Sequence, residues 1–249
     1  MKIQNLIFTI AVASVLVACS TVALTGRKQL SLVPDSEILA MSAQSYGEFI
    51  AQSPLSTNKT SADMVKRVGT RIAAAVQTYM KSIGREAEVA DYQWEFNLVK
   101  SDDVNAFCMP GGKVVVYEGI LPVTQTETGL AVVLGHEVAH AVARHSSEQM
   151  SQQVLLQSGA SVLGGVLSGS SQTLQNVVGA AYGLGSQLGT LHYSRTHEYE
   201  ADHMGLVFMA MAGYDPNSAV QFWQRMAQQG TQTVEFLSTH PSDANRIAE

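Results

Sequence analysis

The sequence predicts an α+β fold that is mainly helical and contains one small sheet. Apolar residues recur at helical spacing over 35–50 and 61–82, and the chain from Glu127 onward shows this spacing again. Between these segments, hydrophobic and polar side chains alternate over 92–98, as in a half-buried strand. With 249 residues, 46% of them hydrophobic, the chain has enough apolar material for one sizeable core.

The charge balance argues against a nucleic-acid partner. The chain has 15 Lys plus Arg against 21 Asp plus Glu, a net charge of −6, and its basic residues are not clustered. A protein that binds nucleic acid needs a basic face to neutralise phosphates. The two cysteines, Cys19 and Cys108, are too few for a disulfide scaffold, and we expect Cys108 to be a small buried hydrophobe.

The N-terminus has the pattern of a secretory signal. Lys2 precedes an apolar run over 6–17, which is too short for a permanent membrane anchor and leads into Leu-Val-Ala-Cys at Cys19. This ending resembles the bacterial lipobox, in which the cysteine is acylated and becomes the mature N-terminus. An ordinary signal peptide with an incidental cysteine is the alternative. We therefore predict a lipoprotein signal peptide over 1–18 and a lipidated tether over 19–34.

The residue after the cysteine predicts a location. Ser20 rather than Asp follows Cys19, which by resemblance to bacterial lipoproteins indicates the outer membrane, with the protein facing the periplasm. More than one acyl chain exceeds the threshold for stable anchoring. We expect residues 35–249 to form the domain that this lipid anchor holds at the membrane.

The first two helices are predicted from their apolar faces and their end signals. The first has Asp35 or Ser36 as its N-cap. The second, over 61–82, has Ser61 as its N-cap and Gly84 as its stop.

Three short strands are predicted in the middle of the chain. They cover residues 92–98, 104–109 and 114–117, and the last two flank a Pro-Gly-Gly turn at 110–112. Strands this short and this close in sequence indicate a small antiparallel or mixed sheet.

A long uncharged segment follows in the helical half of the chain. Residues 149–194 contain no Asp, Glu, Lys or Arg, and Gly, Ser and Gln interrupt their apolar stretches too often for a transmembrane helix. The segment is interpreted as two small-residue helices packed on the core. A mobile cover over an active site, or a surface for a membrane or a partner protein, is the alternative.

The central chemical signal is the sequence His-Glu-Val-Ala-His, which starts at His136. Positions four apart on a helix lie one above the other, so His136 and His140 can bind one ion while Glu137 projects beside it. This is the H-E-x-x-H arrangement of zinc hydrolases. The alternative is a pair of buried core histidines, but an apolar helix rarely buries two histidines and a glutamate without a partner.

A catalytic zinc site needs a third protein ligand and an open position for water. A metzincin would place a histidine at position 146 and a glycine at position 143, where this chain has Ser146 and Ala143, so that class is excluded. The remaining candidates are the histidines and carboxylates that follow the motif: His145, His192, His197, Glu198, Glu200, Asp202, His203 and His240.

Helical geometry favours Glu198 among these candidates. Glu198 and Asp202 share one face of a helix, whereas Glu200 points roughly 200° away from Glu198 and is expected to be solvated. Glu198 would bind the zinc directly, and Asp202 would accept the second N–H of a ligand histidine and fix its tautomer. Arg195 is interpreted as a structural partner of these carboxylates. The other histidines, 145, 192, 197 and 203, are interpreted as surface or helix-packing residues.

Four motifs together resemble a known family. They are H-E-x-x-H at 136–140, S-R-x-x-E-Y-x-A-D at 194–202, Asn-Ala-Phe at 105–107, and His-Pro at 240–241 followed by Arg246-Ile247. In this order they resemble the gluzincin metallopeptidases of the CAAX prenyl endopeptidase, HtpX and BepA type (Ste24-like peptidases). A short lipoprotein without tetratricopeptide repeats is most similar to the LoiP-like periplasmic lipoprotein branch. The resemblance spans about residues 35–249 and implies a zincin-like fold with the small sheet beside the H-E-x-x-H helix.

The resemblance implies a role for each matching residue. One zinc ion per chain would be held by His136, His140 and Glu198. Glu137 would act as the general base that takes a proton from the attacking water and later gives it to the leaving amine. Asp202 would complete the site by holding a ligand histidine.

The same resemblance assigns residues around this centre. His240 and Arg246 are candidates for stabilising the oxyanion, but His240 is also a candidate latch that occupies the open zinc position and keeps the enzyme latent. The strand at Asn105 and Ala106 would pair with an extended substrate backbone by β-addition, which favours unfolded segments.

The function that the resemblance implies is zinc-dependent endopeptidase activity in periplasmic protein quality control. Its substrates would be unfolded or misassembled envelope proteins, and outer-membrane assembly machinery is a candidate partner. A chaperone or assembly factor for outer-membrane proteins, with latent proteolysis, is the main alternative. A structural lipoprotein that stores zinc is a third, and it would have four protein ligands and tolerate the substitution Glu137→Gln.

Overall fold

The computed structural model describes residues 19–158 and 193–228, together with residues 172, 173, 175, 177, 236 and 240. The predicted signal peptide, Arg246 and most of the uncharged segment over 149–194 therefore lie outside the described residues. Within the described part, no helix combines the length and the apolar character that are needed to cross a bilayer.

The described elements alternate as the sequence predicts, with helices before and after a central sheet. The helices are α1 Asp35–Gln52, α2 Lys59–Ser82, α3 Leu121–Thr124, α4 Glu127–Val142, α5 His145–Ser158, α6 Arg195–Met211 and α7 Ser218–Gln228. The strands are β1 Cys19–Thr21, β2 Lys28–Leu30, β3 Glu95–Val99, β4 Ala106–Met109 and β5 Lys113–Tyr117. This mainly helical architecture with a small sheet confirms the predicted α+β fold.

The ends of the first two helices differ slightly from the prediction. Helix α1 has Pro34 at its N-cap position without a side-chain cap, so neither Asp35 nor Ser36 caps it. Helix α2 begins earlier than predicted because the side chain of Asn58 accepts a hydrogen bond from the Ser61 backbone N–H and acts as the cap. Gly84, with φ of 69°, ends the helix in the left-handed region, as its sequence signal predicted.

The central sheet is mixed and has the order β3-β5-β4. Strand β5 runs parallel to β3, with Glu95 opposite Lys113, and antiparallel to β4, with Ala106 opposite Val116. Alternate residues of β4 and β5 pack into two hydrophobic clusters, so both faces of these strands are covered. Cys108 belongs to the larger cluster as a buried thiol whose pKa burial raises well above its ordinary value, as expected for a structural cysteine.

Helix α4, which carries the H-E-x-x-H motif, is the central element of the larger cluster. The Thr126 side chain caps it by accepting from the Gly129 N–H, and every residue from Gly129 to Val142 is buried. The helix crosses α6 at a contact between two glycines, where a methyl group on Gly135 would lie 2.8 Å from the carbonyl oxygen of Gly205. This close approach places the acidic start of α6 beside the histidines of α4.

The segment 19–34, predicted as a tether, packs on the domain. Strands β1 and β2 pair antiparallel as a hairpin, with Cys19 opposite Leu30. Val22 is buried in the larger cluster, while Leu32 and Val33 are buried in a smaller cluster with residues of α1 and α5. These three buried side chains, together with the partly buried Ala23, Leu24 and Leu30, pack the segment onto the domain. The lipidation of Cys19, which is exposed, stays a prediction.

Candidate metal centre

The two motif histidines lie on one face of α4 and are almost completely enclosed. His136 is 2% exposed and His140 is 1% exposed, and their Nε2 atoms are 3.0 Å apart. The two Nε2 atoms are therefore close enough for one metal ion to contact both.

Two further side chains complete the cluster. Glu198, from α6, has its Oε1 atom 3.4 Å from His140 Nε2 and its Oε2 atom 3.5 Å from His136 Nε2. His240 has its Nδ1 atom 3.1 Å from Glu198 Oε1 and 3.3 Å from His136 Nε2. One potential ligand atom from each of the four residues lies within 4.8 Å of the others.

Asp202 fixes the tautomer of His136. The Asp202 Oδ1 atom is 2.8 Å from His136 Nδ1, so the ring donates its Nδ1–H there and its Nε2 atom is the one that faces the cluster. Burial lowers the pKa of His136, but the Asp202 charge, its hydrogen bond and Glu198 outweigh that effect and raise the pKa to about 9. A metal ion would take the place of this excess proton.

The other cluster residues also have shifted pKa values. Burial, together with the surrounding histidines, lowers the pKa of His140 well below its ordinary value, so this ring is neutral and able to bind a metal. Burial alone would raise the pKa of Glu198, but His240 and His136 outweigh it and hold the pKa far below its ordinary value. Glu198 is therefore a carboxylate even though it is fully buried.

The donor set fits zinc. Imidazole nitrogens and one carboxylate are ligands that zinc prefers, and His136, His140 and Glu198 form the His₂Glu set of catalytic zinc sites. His240 supplies a fourth donor atom. Glu137 is 2% exposed on the same helix, and its Oε1 atom lies 3.5 Å from His240 Nε2.

Comparison with known proteins decides the family. The sequence model of Peptidase family M48 matches residues 70–249. The chain belongs to this family. The match confirms the predicted resemblance, the metallopeptidase class and zinc as the cofactor.

Similar proteins come from both mitochondria and bacteria. The chain is 41% identical over 181 residues to the mitochondrial metalloendopeptidase OMA1 of Schizosaccharomyces pombe, a match that covers 69% of this chain and 50% of the relative. It is 32% identical over 162 residues to the beta-barrel assembly-enhancing protease of Yersinia pestis, covering 63% of this chain and 33% of the relative. The corresponding protease of Escherichia coli K12 is 28% identical over 183 residues, with 69% and 37% covered. The chain thus spans half or less of the length of these relatives.

In this M48 peptidase the predicted substrate strand lies at a sheet edge. Ala106 is the first residue of β4, and the Asn105 side chain accepts a hydrogen bond from the Ala106 N–H at 2.8 Å. Just before this point, Val104 O accepts a hydrogen bond from the Phe236 N–H at 3.2 Å. The Phe236 ring stacks on His240 with a centroid distance of 4.4 Å, so the part of the chain that carries His240 also touches the sheet edge.

The prediction that Glu200 is solvated is wrong. Glu200 is 6% exposed and lies between His145 and Arg27, because the β1–β2 hairpin covers this side of α6. A second carboxylate, Glu148, binds Arg27 through two hydrogen bonds and His197 through one. His145 and His197 are buried and lie outside the four-residue cluster, and His203 is exposed.

Sequence reasoning missed Arg27, Glu148 and Tyr193 around the centre. The Tyr193 ring lies 3.9 Å from the His140 ring, and its hydroxyl forms a hydrogen bond with Ser146. Glu148 lies on α5, the helix that directly follows the H-E-x-x-H helix. This position in the sequence could have identified it as a candidate. Arg27 has no comparable signal, because its partners are distant in the sequence.

A cavity of about 470 Å³ opens beside the centre. Its wall includes His136 and Asp202 together with the apolar side chains of Val132, Met209, Val220 and Trp223. His136 is thus bordered by the buried cluster on one side and by this cavity on another.

Proposed function

We propose that this chain is a zinc-dependent endopeptidase that hydrolyses peptide bonds in unfolded or misassembled envelope proteins. The convergence of His136, His140 and Glu198 on one buried point, with Glu137 beside it, carries the proposal. Three protein ligands and a neighbouring carboxylate are the parts that metal-assisted peptide hydrolysis requires.

The three ligands would hold zinc in a fixed position. Asp202 holds His136 through its Nδ1 atom, and Glu198 is kept ionised by the histidines around it. When bound, zinc lowers the pKa of a coordinated water and polarises the scissile carbonyl. Proton transfer, control of access to the metal and substrate binding are carried out by residues of this protein.

Glu137 would be the general base and then the general acid. Its carboxylate takes a proton from the attacking water and delivers that proton to the nitrogen of the leaving amine. Glu137 is buried on helix α4, one position after the ligand His136. Burial restricts the motion of its carboxylate and keeps it close to the metal ligands.

His240 would act as a latch in the conformation described here. Its Nδ1 atom lies among the ligand atoms, so it would fill the fourth position, and its Nε2 atom faces Glu137. A zinc ion with four protein ligands has no open position for water. Release of His240 would open the site, after which His240 and Arg246 could stabilise the oxyanion instead.

Substrate would bind at the outer edge of β4, which pairs with no second strand among the described residues. An edge strand presents unpaired backbone groups, and Asn105 and Ala106 stand where this edge begins. Because β-addition needs an extended partner, it selects unfolded segments over folded proteins. A substrate strand would compete there with the backbone contact between Phe236 and Val104.

The proposed location is the periplasmic face of a bacterial outer membrane, with Cys19 as the lipid-modified residue. The lipobox-like ending before Ser20 supports it. The relatives named beta-barrel assembly-enhancing protease support a role in envelope protein quality control and contact with outer-membrane assembly machinery. Other relatives are named as mitochondrial, so the location rests mainly on this chain's own N-terminus.

The activity is tested by zinc content and by cleavage of casein, an unfolded protein. The wild-type protein is compared with Glu137→Gln and with Glu48→Gln, a matched change at an exposed position of α1. We expect one zinc per chain in all three proteins and a loss of cleavage of about 100-fold or more in Glu137→Gln alone.

Other outcomes separate the alternatives. Zinc bound by all three proteins without cleavage by any would count against the peptidase, and rescue of outer-membrane protein assembly by Glu137→Gln would then favour the chaperone over a zinc-storing protein. A zinc-storing protein would bind the metal and be unaffected by that substitution. Absence of zinc from the wild-type protein would overturn the proposal.

A further inference from the structure

A chain of hydrogen bonds leads from the candidate ligand His140 to the N-terminal hairpin. His140 Nδ1 lies 2.9 Å from His145 Nδ1, and His145 Nε2 lies 2.9 Å from Glu200 Oε2. Arg27 then donates its Nε–H to the same Glu200 oxygen at 2.7 Å. All the side chains between His140 and Arg27 are buried, so water does not replace these contacts.

The direction of each hydrogen bond in this series is fixed by the carboxylate of Glu200 at its end. Glu200 can only accept, so His145 must carry its proton on Nε2 and present a lone pair at Nδ1. His140 must then donate its own Nδ1–H to His145, which leaves the lone pair of His140 on Nε2. That atom is the one that faces the metal cluster.

We propose that Glu200 and His145 orient the zinc ligand His140, and that Arg27 of the β1–β2 hairpin holds this pair in place. The inference rests on the proposed zinc-binding role of His140. Asp202 holds the other ligand histidine directly, whereas Glu200 reaches His140 through an intervening imidazole. His145 and Glu200 are therefore positioning residues that do not touch the metal.

Arg27 is the anchor because it joins two helices. Its guanidinium binds Glu200 of α6 and makes two hydrogen bonds to Glu148 of α5. Thr25 of the same hairpin also donates to Glu200. One arginine between two buried carboxylates fixes both in the fork geometry that only a guanidinium provides. Residues of the predicted tether would thus contribute to the order of the metal centre.

The decisive experiment compares two substitutions of His145 by zinc affinity. Asn places an acceptor oxygen close to the position of His145 Nδ1, whereas Leu fills the space but cannot accept a hydrogen bond. We expect His145→Leu to weaken zinc binding by about 10- to 100-fold and His145→Asn to retain most of the affinity. A role in packing alone predicts the opposite order, because an apolar side chain suits a fully buried site better than an amide.

The measurement is competition for zinc between the full-length protein and a chromogenic chelator, made only on samples whose circular dichroism shows that they are folded. The visible spectrum of the cobalt-substituted protein gives an independent report of ligand geometry, and it should change in His145→Leu. Equal zinc affinity of the two variants and wild type, or weaker binding by Asn than by Leu, would overturn the inference.

Arg27 is tested in the same assay. We expect Arg27→Gln to weaken zinc binding, and Arg27→Lys to recover only part of it because a lysine cannot bridge both carboxylates. Arg67→Gln is the matched control, since Arg67 forms an exposed ion pair with Glu127 away from the centre. If wild type binds no zinc, the proposed function fails; if wild type binds zinc and no variant differs from it, only the present inference fails.

Discussion

Gly135 of α4 and Gly205 of α6 are in direct backbone contact where the two helices cross. A methyl group on Gly205 would lie 2.8 Å from the backbone nitrogen of His136, a distance that real side chains do not adopt. The contact sets the separation between the helix that carries the two histidines and the helix that carries Glu198 and Asp202. The geometry of the metal centre therefore depends on the absence of two side chains.

Gly205→Ala should disturb both stability and zinc binding. The added methyl group must push the helices apart, and overpacking of this kind costs about 1–3 kcal/mol. We expect a lower urea midpoint together with weaker zinc binding, because the 2.8 Å contact between His136 and Asp202 would lengthen. Gly47→Ala is the control, since a methyl group there meets nothing within 4 Å. Wild-type zinc affinity in Gly205→Ala would show that the glycine contact does not set the site.

Sequence reasoning could predict the parts of the site that lie on one element. The spacing of His136 and His140 follows from the helical repeat, and the same repeat places Glu198 and Asp202 together on α6. The structure brings these four residues together, as the sequence led us to expect. Their roles in metal binding stay predictions.

Contacts between distant elements could not be predicted in this way. The repeat of α6 gives the direction of Glu200 relative to Glu198 but does not say what covers that side. There the structure has Arg27, which is 173 positions away in the sequence and lies on a hairpin with strands too short and polar to be recognised. The glycine contact of α4 with α6 is equally invisible, because small residues carry no periodic signal of their own.

Removal of the Asp202 carboxylate should weaken zinc binding without removing a ligand. Asp202→Ala leaves His136 without the acceptor of its Nδ1–H, so the ring loses its fixed tautomer and orientation. We expect zinc affinity to fall about 10- to 100-fold in chelator competition. Asp215→Ala provides a comparison, because Asp215 is exposed and interacts only locally with Asn217 and Ser218 in the part of the chain that the structure describes. Unchanged affinity in Asp202→Ala would contradict this role.

Glu148 should make the stability of the metal-free protein depend on pH in the acid range. Burial alone would raise the pKa of Glu148, but hydrogen bonds from His197 and Arg27 and the Arg27 charge lower it to about 2 from an ordinary value of 4.5. The folded state therefore favours the carboxylate. Its contribution is complete above about pH 4.5 and is lost as the pH falls through about 2.

The measurement is urea unfolding of the metal-free wild type and Glu148→Gln across this range. The shift corresponds to about 2–3 kcal/mol at neutral pH, and the difference between the two proteins should shrink steadily below about pH 4.5. Glu200 shares Arg27 with Glu148 and stays intact in both proteins, so the difference reports Glu148 together with its coupling to Glu200 through Arg27. Glu86→Gln, at an exposed position, controls for the change in net charge. A difference that is independent of pH would show that the loss of stability does not come from the charge of the Glu148 carboxylate.

The substitution His240→Ala should distinguish between two roles of His240, which are a latch at the fourth zinc position and stabilisation of the oxyanion. In the described conformation its Nδ1 atom is a fourth donor 3.1 Å from Glu198 Oε1, so it would exclude water from the zinc. Removal of a latch leaves His136, His140 and Glu198 as ligands and opens the fourth position. We therefore expect faster casein cleavage by His240→Ala with slightly weaker zinc binding, because one donor is lost.

The two readouts together decide the role. If His240 stabilises the oxyanion instead, the same substitution should slow cleavage by about 100- to 1,000-fold at saturating substrate and leave zinc affinity unchanged. His203→Ala, an exposed histidine of α6, should behave like wild type in both assays. The latch also predicts that a change that breaks the contact of Phe236 with Val104, which ties the His240 segment to the edge of β4, raises wild-type activity. Such activation should disappear in His240→Ala, where no latch remains to be released.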